Sequence, residues 1–424
     1  MFKYRKTLDK IKNYLNHERI VILLGSRQVG KTTLMKMIQE DLQGKSYYLN
    51  MEDPEKLQIL VEGVPGLKQG GYLNDKEKLY LFIDEFHYLE NPNRLFKEIY
   101  DNFPLVSIIA SGSASLEIQH KIKESLTGRK LTVNVFPLDF HEYLQFTDEE
   151  RAEFIKNVDP EGTLLHSKKI AMKSTREIFR EFVLFGGLPQ IVLEEDKEMK
   201  KVRLQEIFDT YIQKDIKGIL KNIEIAIFNR MVQIIASQIG NLLNISELSN
   251  TLGISRNQVV FYLEVLRETF VNFLLKPHHS TVRKEVSKTP KTFFYDNGVR
   301  NQILKQFAQL ELRADNGALL ENAVFMELIK NLPVSQDIRY SRTKNKTEVD
   351  FVIRKDENFY PIEVKLGAVK EIPLGLKSFV NNYNVKTAFI VNDTEWFLKK
   401  DDGVVYYFIP HFLAGKIPSW ILNF

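Results

Sequence analysis

The 424-residue chain contains no cysteine. That excludes disulfides, thiolate nucleophiles and zinc sites built on sulfur, and it is compatible with a reducing compartment. Long apolar runs are missing as well: no stretch approaches the roughly 20 residues that span a bilayer. The amino-terminal MFKYRKTLDKIKNYL is interrupted by lysines and lacks the apolar centre of a secretory signal. The expectation is a soluble, cytoplasmic protein with no membrane partner. Charge of one sign is not in large excess either. The formal net charge of +4 fits a nucleic-acid partner without requiring one. What is present is 44% hydrophobic residues in a chain longer than one core usually fills, so two or more domains are expected.

The segment VILLGSRQVGKTTLMKMI passes from an apolar strand pattern at residues 21–24 into a helical pattern near Lys31. Between them Gly25, Ser26, Arg27, Gln28, Val29, Gly30, Lys31 and Thr32 fill the pattern G-x-x-x-x-G-K-[ST], with Thr33 next. Glycines let such a loop wrap so that backbone N–H groups and a helix N-terminus face phosphates. Lys31 is placed to reach the β- and γ-phosphates of ATP and Thr32 to ligate magnesium. Downstream, KLYLFIDEFHYL is an apolar strand ending in Asp84 and Glu85. Asp84 is expected to hold the magnesium hydration shell, and Glu85 to polarise the attacking water. The strand LVSIIASGSAS offers Ser111 or Ser113 as a γ-phosphate sensor. Arg129, after a glycine on a turn, is a candidate arginine finger, in cis or from a neighbouring subunit.

Together GSRQVGKTTL, YLNMEDPE, LFIDEFHYL, IIASGSAS, ESLTGRK and FPLDFHEYL resemble the N-terminal domain of a bacterial and archaeal family of AAA-type ATPases. That family usually has proline where Ser26 stands, a change of little consequence for phosphate binding, and ends in a domain of unassigned function. The resemblance implies ATP and Mg2+ as cofactors, and a homo-oligomer with nucleotide sites at subunit contacts, where Arg129 would act in trans.

Residues 146–244 read as helical, with FGGLPQ as a strong helix stop. The segment ISELSNTLGISRNQVVFYLEVLRETFVNFLL then has the rhythm of a helix-turn-helix. Arg256, Asn257 and Gln258 fall at the start of its second helix. Arg283, Lys284, Lys288 and Lys291 follow as a wing able to reach phosphates. In the last part, Glu321 lies on an amphipathic helix, and TEVDFVIRKDENFYPIEVK forms two strands joined by a charged turn. The order helix, strand, strand, strand, helix, strand, with Glu321, Asp350, Glu363 and Lys365 in sequence, resembles the PD-(D/E)XK nuclease fold. That resemblance implies magnesium held by carboxylates on adjacent strands beside Lys365. Arg339, Arg342, Lys344 and Lys346 would surround such a site with positive charge; the bland alternative is a hairpin with solvated charges.

The expected architecture is α/β throughout: a P-loop AAA-like parallel-sheet domain over 1–145, a helical domain over 146–244, a winged helix over 245–300, and a PD-(D/E)XK-like α/β domain over 301–424. The expected function is ATP binding and hydrolysis coupled to DNA binding or remodelling. Two alternatives stand beside it: an ATP-gated, magnesium-dependent endonuclease, and a signalling switch whose C-terminal domain only docks a protein.

Overall fold

The computed structural model describes residues 3–73, 77–113, 126, 128–161, 169–217, 222–278, 289–343 and 347–424. The chain divides into two compact units. One comprises Met1–Phe136, Thr210–Ile219 and Leu263–Val271, and the other comprises Pro137–Asp209, Leu220–Tyr262 and Asn272–Phe424. The phosphate-loop unit therefore takes in two short segments from far along the chain.

In the first unit, α1 (Lys6–His17) precedes β1 (Ile20–Gly25), α2 (Lys31–Asp41), β2 (Lys45–Asn50), β3 (Leu79–Asp84), α3 (Pro92–Asn102), β4 (Val106–Ser113) and β5 (Leu131–Asn134). The five strands form one parallel sheet in the order β2-β3-β4-β1-β5. Every residue of β1 and β3 is buried, as parallel strands covered on both faces require. Helix α2 buries Leu34, Met35 and Ile38, one face of a helical period. Its N-cap, Gly30, has φ 94°, a left-handed conformation that glycine adopts without steric cost. At Gly25 a Cβ would lie 2.3 Å from the Val135 carbonyl oxygen, so only glycine lets β1 turn into the loop there. The loop thus leaves the carboxyl end of a central strand, where open parallel sheets bind ligands.

The second unit is helical from Phe140–Thr147 to Asn222–Ser237, with breaks. Helix α4 (Ile245–Leu252), a turn through Gly253 at φ 66°, and α5 (Arg256–Glu268) follow. The division into units falls within α5. Strands β6 (Asn272–Leu275) and β7 (Lys291–Phe294) pair antiparallel. Helix α6 (Asn316–Asn331) precedes β8 (Gln336–Arg342), β9 (Glu348–Lys355), β10 (Asn358–Val364), α7 (Leu374–Tyr383), β11 (Thr387–Asn392), β12 (Phe397–Asp401) and β13 (Val404–Pro410). These six strands form a mixed sheet in the order β12-β13-β11-β10-β9-β8. The helix, three strands, helix and strand expected from the sequence are all present. Leu376, Phe379 and Val380 of α7 pack with Val349, Val352 and Ile390 in its core. Strand β7 is fixed to α6 by Asn322, whose amide accepts from Phe294 N at 2.7 Å and donates to Phe294 O at 3.1 Å. That contact sets where Lys291 must go.

Candidate nucleotide site and a carboxylate cluster

The loop from Gly25 to Gly30 delivers Lys31 to a buried position, where its ammonium donates to the carbonyls of Gly25 and Ser26, each at 3.0 Å. Burial lowers the pKa of Lys31, against the opposing pull of Glu85 and Asp84. Thr32 donates its hydroxyl to Asp84 Oδ2 at 2.7 Å, so the two expected magnesium-side groups meet. Asp84 also accepts from the Tyr48 and Ser111 hydroxyls. Ser111, expected as a phosphate sensor, is fully buried and orients Asp84 instead; the Ser113 side chain lies outside the described residues.

Glu85 has φ 55°, a left-handed conformation costly for a side chain with a Cβ. Its carboxylate lies 3.0 Å from His87 Nδ1. Burial pushes its pKa up, but His87, Lys31 and Arg27 outweigh that and hold it below the ordinary value. A carboxylate kept ionised beside Lys31 is a competent acceptor for a proton from water.

Sequence reasoning missed three supports of this loop. Arg5 is buried and donates to Val29 O at 2.7 Å and Phe136 O at 2.8 Å. Tyr48 reaches Asp84 from β2. Arg27, expected as part of the nucleotide-binding loop, places Nε 3.0 and 2.9 Å from the two oxygens of Asp215. Asp215 lies on a π-helical stretch, Tyr211–Ile216, a feature common at functional sites. Within the same stretch, the Tyr211 hydroxyl lies 3.0 Å from Thr269 Oγ1, just past the end of α5. Gln28 is exposed in the left-handed region at φ 61°, Val29 is buried, and Thr33 is exposed at the start of α2.

Arg129 precedes β5, whose Leu131 pairs with Val21 near the start of β1. The phosphate loop follows the other end of β1, about 20 Å along a six-residue strand. Arg129 pairs there with Asp101 at 3.2 Å. The reading in cis is corrected by this geometry, since Arg129 and the loop lie at opposite ends of neighbouring parallel strands.

Arg256, Asn257 and Gln258 are exposed at the start of α5. Gln258 is engaged in capping: its Oε1 accepts from Ser255 N at 3.0 Å, while Ser255 Oγ accepts from Gln258 N at 3.2 Å. Arg256 donates to Ser246 Oγ at 2.6 Å, across the turn. Arg283, Lys284 and Lys288 lie outside the described residues.

Lys291 contradicts its expected role. It is buried, not on an exposed wing, and its ammonium lies 3.1 Å from Glu321 Oε1 and contacts Glu348 Oε1. The structure does bring the C-terminal candidates together. Ile362 pairs with Phe351, so one step on Glu363 comes level with Asp350 across the β9–β10 ladder. Asp350 Oδ2 accepts from Val364 N at 2.8 Å, and Lys365 Nζ lies 2.7 Å from Glu363 Oε1. Burial and the neighbouring Asp350 carboxylate push Glu321 up to about 8 and Glu363 up to about 7. Burial raises Asp350 as well. Lys291 is driven up by Glu321, Asp350 and Glu348 against the opposing effect of its own burial. Glu348 was missed, although the alternation in TEVD places it on the same strand face as Asp350. Arg342 lies 3.5 Å from Glu348 and Arg339 2.6 Å from Asp337, while Lys344 and Lys346 lie outside the described residues.

A parallel five-stranded sheet with this loop after β1 and an acidic pair closing β3 is a P-loop ATPase fold. Comparison with known proteins agrees: an AAA domain model matches residues 17–144. Residues 176–310 and 316–412 match two models described as domains of unknown function, DUF8612 and DUF4143. An uncharacterized protein of Haemophilus influenzae is 25% identical over 398 residues, covering 91% of both chains. One from Methanocaldococcus jannaschii is 29% identical over 343 residues, covering 79% of this chain and 72% of its own. Among solved structures, the Walker-type ATPase PABY2304 of Pyrococcus abyssi is similar over 72% of this chain and 96% of its own, at 17% identity and a TM-score of 0.46. Among the described residues, no helix is long and apolar enough to cross a membrane.

Proposed function

We propose that the chain binds and hydrolyses ATP with magnesium and couples that cycle to DNA binding or remodelling. The residues fit the nucleotide–metal pair: Lys31 meets the phosphates, and Thr32 and Asp84, already 2.7 Å apart, hold the magnesium side. Bound magnesium supplies charge neutralisation at the phosphates. Glu85, held ionised, accepts the proton of the attacking water. The chain works as a homo-oligomer in which Arg129 of one copy completes the site of another.

The observation that carries the coupling is a connected set of contacts inside the ATPase unit. Arg27 of the phosphate loop holds Asp215, and the Asp215 stretch meets Thr269 through Tyr211. Thr269 follows directly on α5, whose first residues are the exposed Arg256 and Asn257. These contacts, which tie the phosphate loop to the carboxyl end of α5, support reading α5 as the helix through which nucleotide turnover acts on DNA, the second helix of a proposed winged-helix element with α4 and the β6–β7 ribbon.

Steady-state phosphate release with and without duplex DNA tests this reading. DNA is expected to raise turnover in the wild type, and the rise is expected to vanish in an Arg256→Ala/Asn257→Ala variant that keeps basal turnover. A wild-type rate indifferent to DNA, with no DNA bound at low salt, overturns the coupling and favours the protein-docking switch.

A further inference from the structure

The carboxylate cluster of the second unit, expected from the sequence to hold magnesium, contains an ammonium of its own. Lys291 enters from β7 because Asn322 fixes that strand against α6, and its Nζ contacts Glu321 on α6 and Glu348 on β9. Asp350 on the same face of β9 contributes to its electrostatic surroundings. Magnesium takes oxygen ligands at about 2.0–2.1 Å in near-octahedral geometry. The Lys291 ammonium occupies oxygens of Glu321 and Glu348, and its charge, which acts on Asp350 as well, opposes a second cation at this face. Among the described residues no three histidine, aspartate or glutamate side chains are grouped to hold a metal ion.

The cluster carries cations of its own. Glu321, Glu348, Asp350 and Glu363 face the two ammoniums of Lys291 and Lys365. The Glu363 Oε2 atom is buried without a hydrogen-bond partner, and the carboxyl is raised to about 7, so near neutral pH it holds part of a proton. Glu321, raised to about 8, holds another.

We propose that Lys291 is the resident cation of this cluster: it takes the place a divalent metal would need and ties the β6–β7 ribbon to α6 and β9 by an internal ion pair. The C-terminal sheet then binds no magnesium of its own and cuts no phosphodiester by metal-activated water. This does not depend on the DNA reading above.

Manganese binding to the full-length protein, followed by the electron paramagnetic resonance of free Mn2+, provides the test. In an Asp84→Asn background, which weakens the metal side of the phosphate loop, Mn2+ is expected to find no specific site. Replacing Lys291 by Met in that background is expected to create a site, and adding Asp350→Asn is expected to remove it. A specific Mn2+ site in the Asp84→Asn protein that Asp350→Asn abolishes would overturn the proposal, and that measurement needs no Lys291 variant. A folded Lys291→Met protein that acquires no site would equally contradict the claim that the ammonium stands in for a metal.

Discussion

Two buried lysines among carboxylates, Lys31 and Lys291, face opposite situations. Lys31 donates to two backbone carbonyls, while Asp84 and Glu85 act on it without contact in a salt bridge; burial wins and lowers its pKa. Lys291 touches two carboxylates directly, and their field outweighs burial and raises its pKa. The first is an under-compensated cation beside a loop that can wrap an anion. The second is already compensated. The difference shows that a lysine near acidic residues is not in itself evidence for phosphate or metal chemistry; what matters is which oxygens it contacts.

Substitutions at the phosphate loop should act most strongly. Lys31→Ala is expected to abolish ATP binding, measured by fluorescent-nucleotide titration. Glu85→Gln is expected to retain binding and lose about 100-fold or more in turnover, because only the proton acceptor is removed. Equal turnover by Glu85→Gln and wild type would remove Glu85 from the mechanism. At the other lysine the expected effect is on stability. Lys291→Met leaves buried carboxylates without their cation, and denaturant unfolding should show a loss of roughly 3 kcal/mol. A neutral result would show that the ion pair contributes nothing net.

The C-terminal carboxyl groups give a pH signature of their own near neutrality. Glu321 and Glu363 have folded pKa values of about 8 and about 7, above their ordinary 4.5. The folded state therefore binds more protons than the unfolded state between those values. Their contribution to stability is present below pH 4.5 and is lost as pH rises through 7 to 8. Thermal unfolding of wild type is expected to weaken across that window, and Glu363→Gln is expected to flatten the decline; parallel curves would place the titration elsewhere.

The smallest expected effect concerns Arg129, which is partly exposed and paired with Asp101. Mixing Arg129→Ala with Lys31→Ala is expected to restore some ATP turnover, since each supplies what the other lacks. Co-assembly with no recovered activity would remove the trans role.

The phosphate loop was legible because its chemistry is local: eight consecutive residues and one strand end specify it. The order of elements in the C-terminal unit was legible for the same reason, through strand alternation and helical period. The Arg27–Asp215 contact was not, because it joins residues 188 apart in sequence and depends on the packing of a late segment into the first unit. Lys291 was misread because a basic run usually marks a solvated surface. The overlooked signal was the apolar continuation KTFF, which begins a fully buried strand at that lysine.

Under the two proposals, the phosphate loop turns over nucleotide and the C-terminal cluster leaves DNA intact. The most direct measurement incubates the protein with supercoiled plasmid, magnesium or manganese, and ATP, following phosphate release and plasmid topology in the same reaction. Phosphate release with the plasmid uncut is the expected result. Nicked or linear plasmid that forms with wild type and not with Asp350→Ala would contradict it.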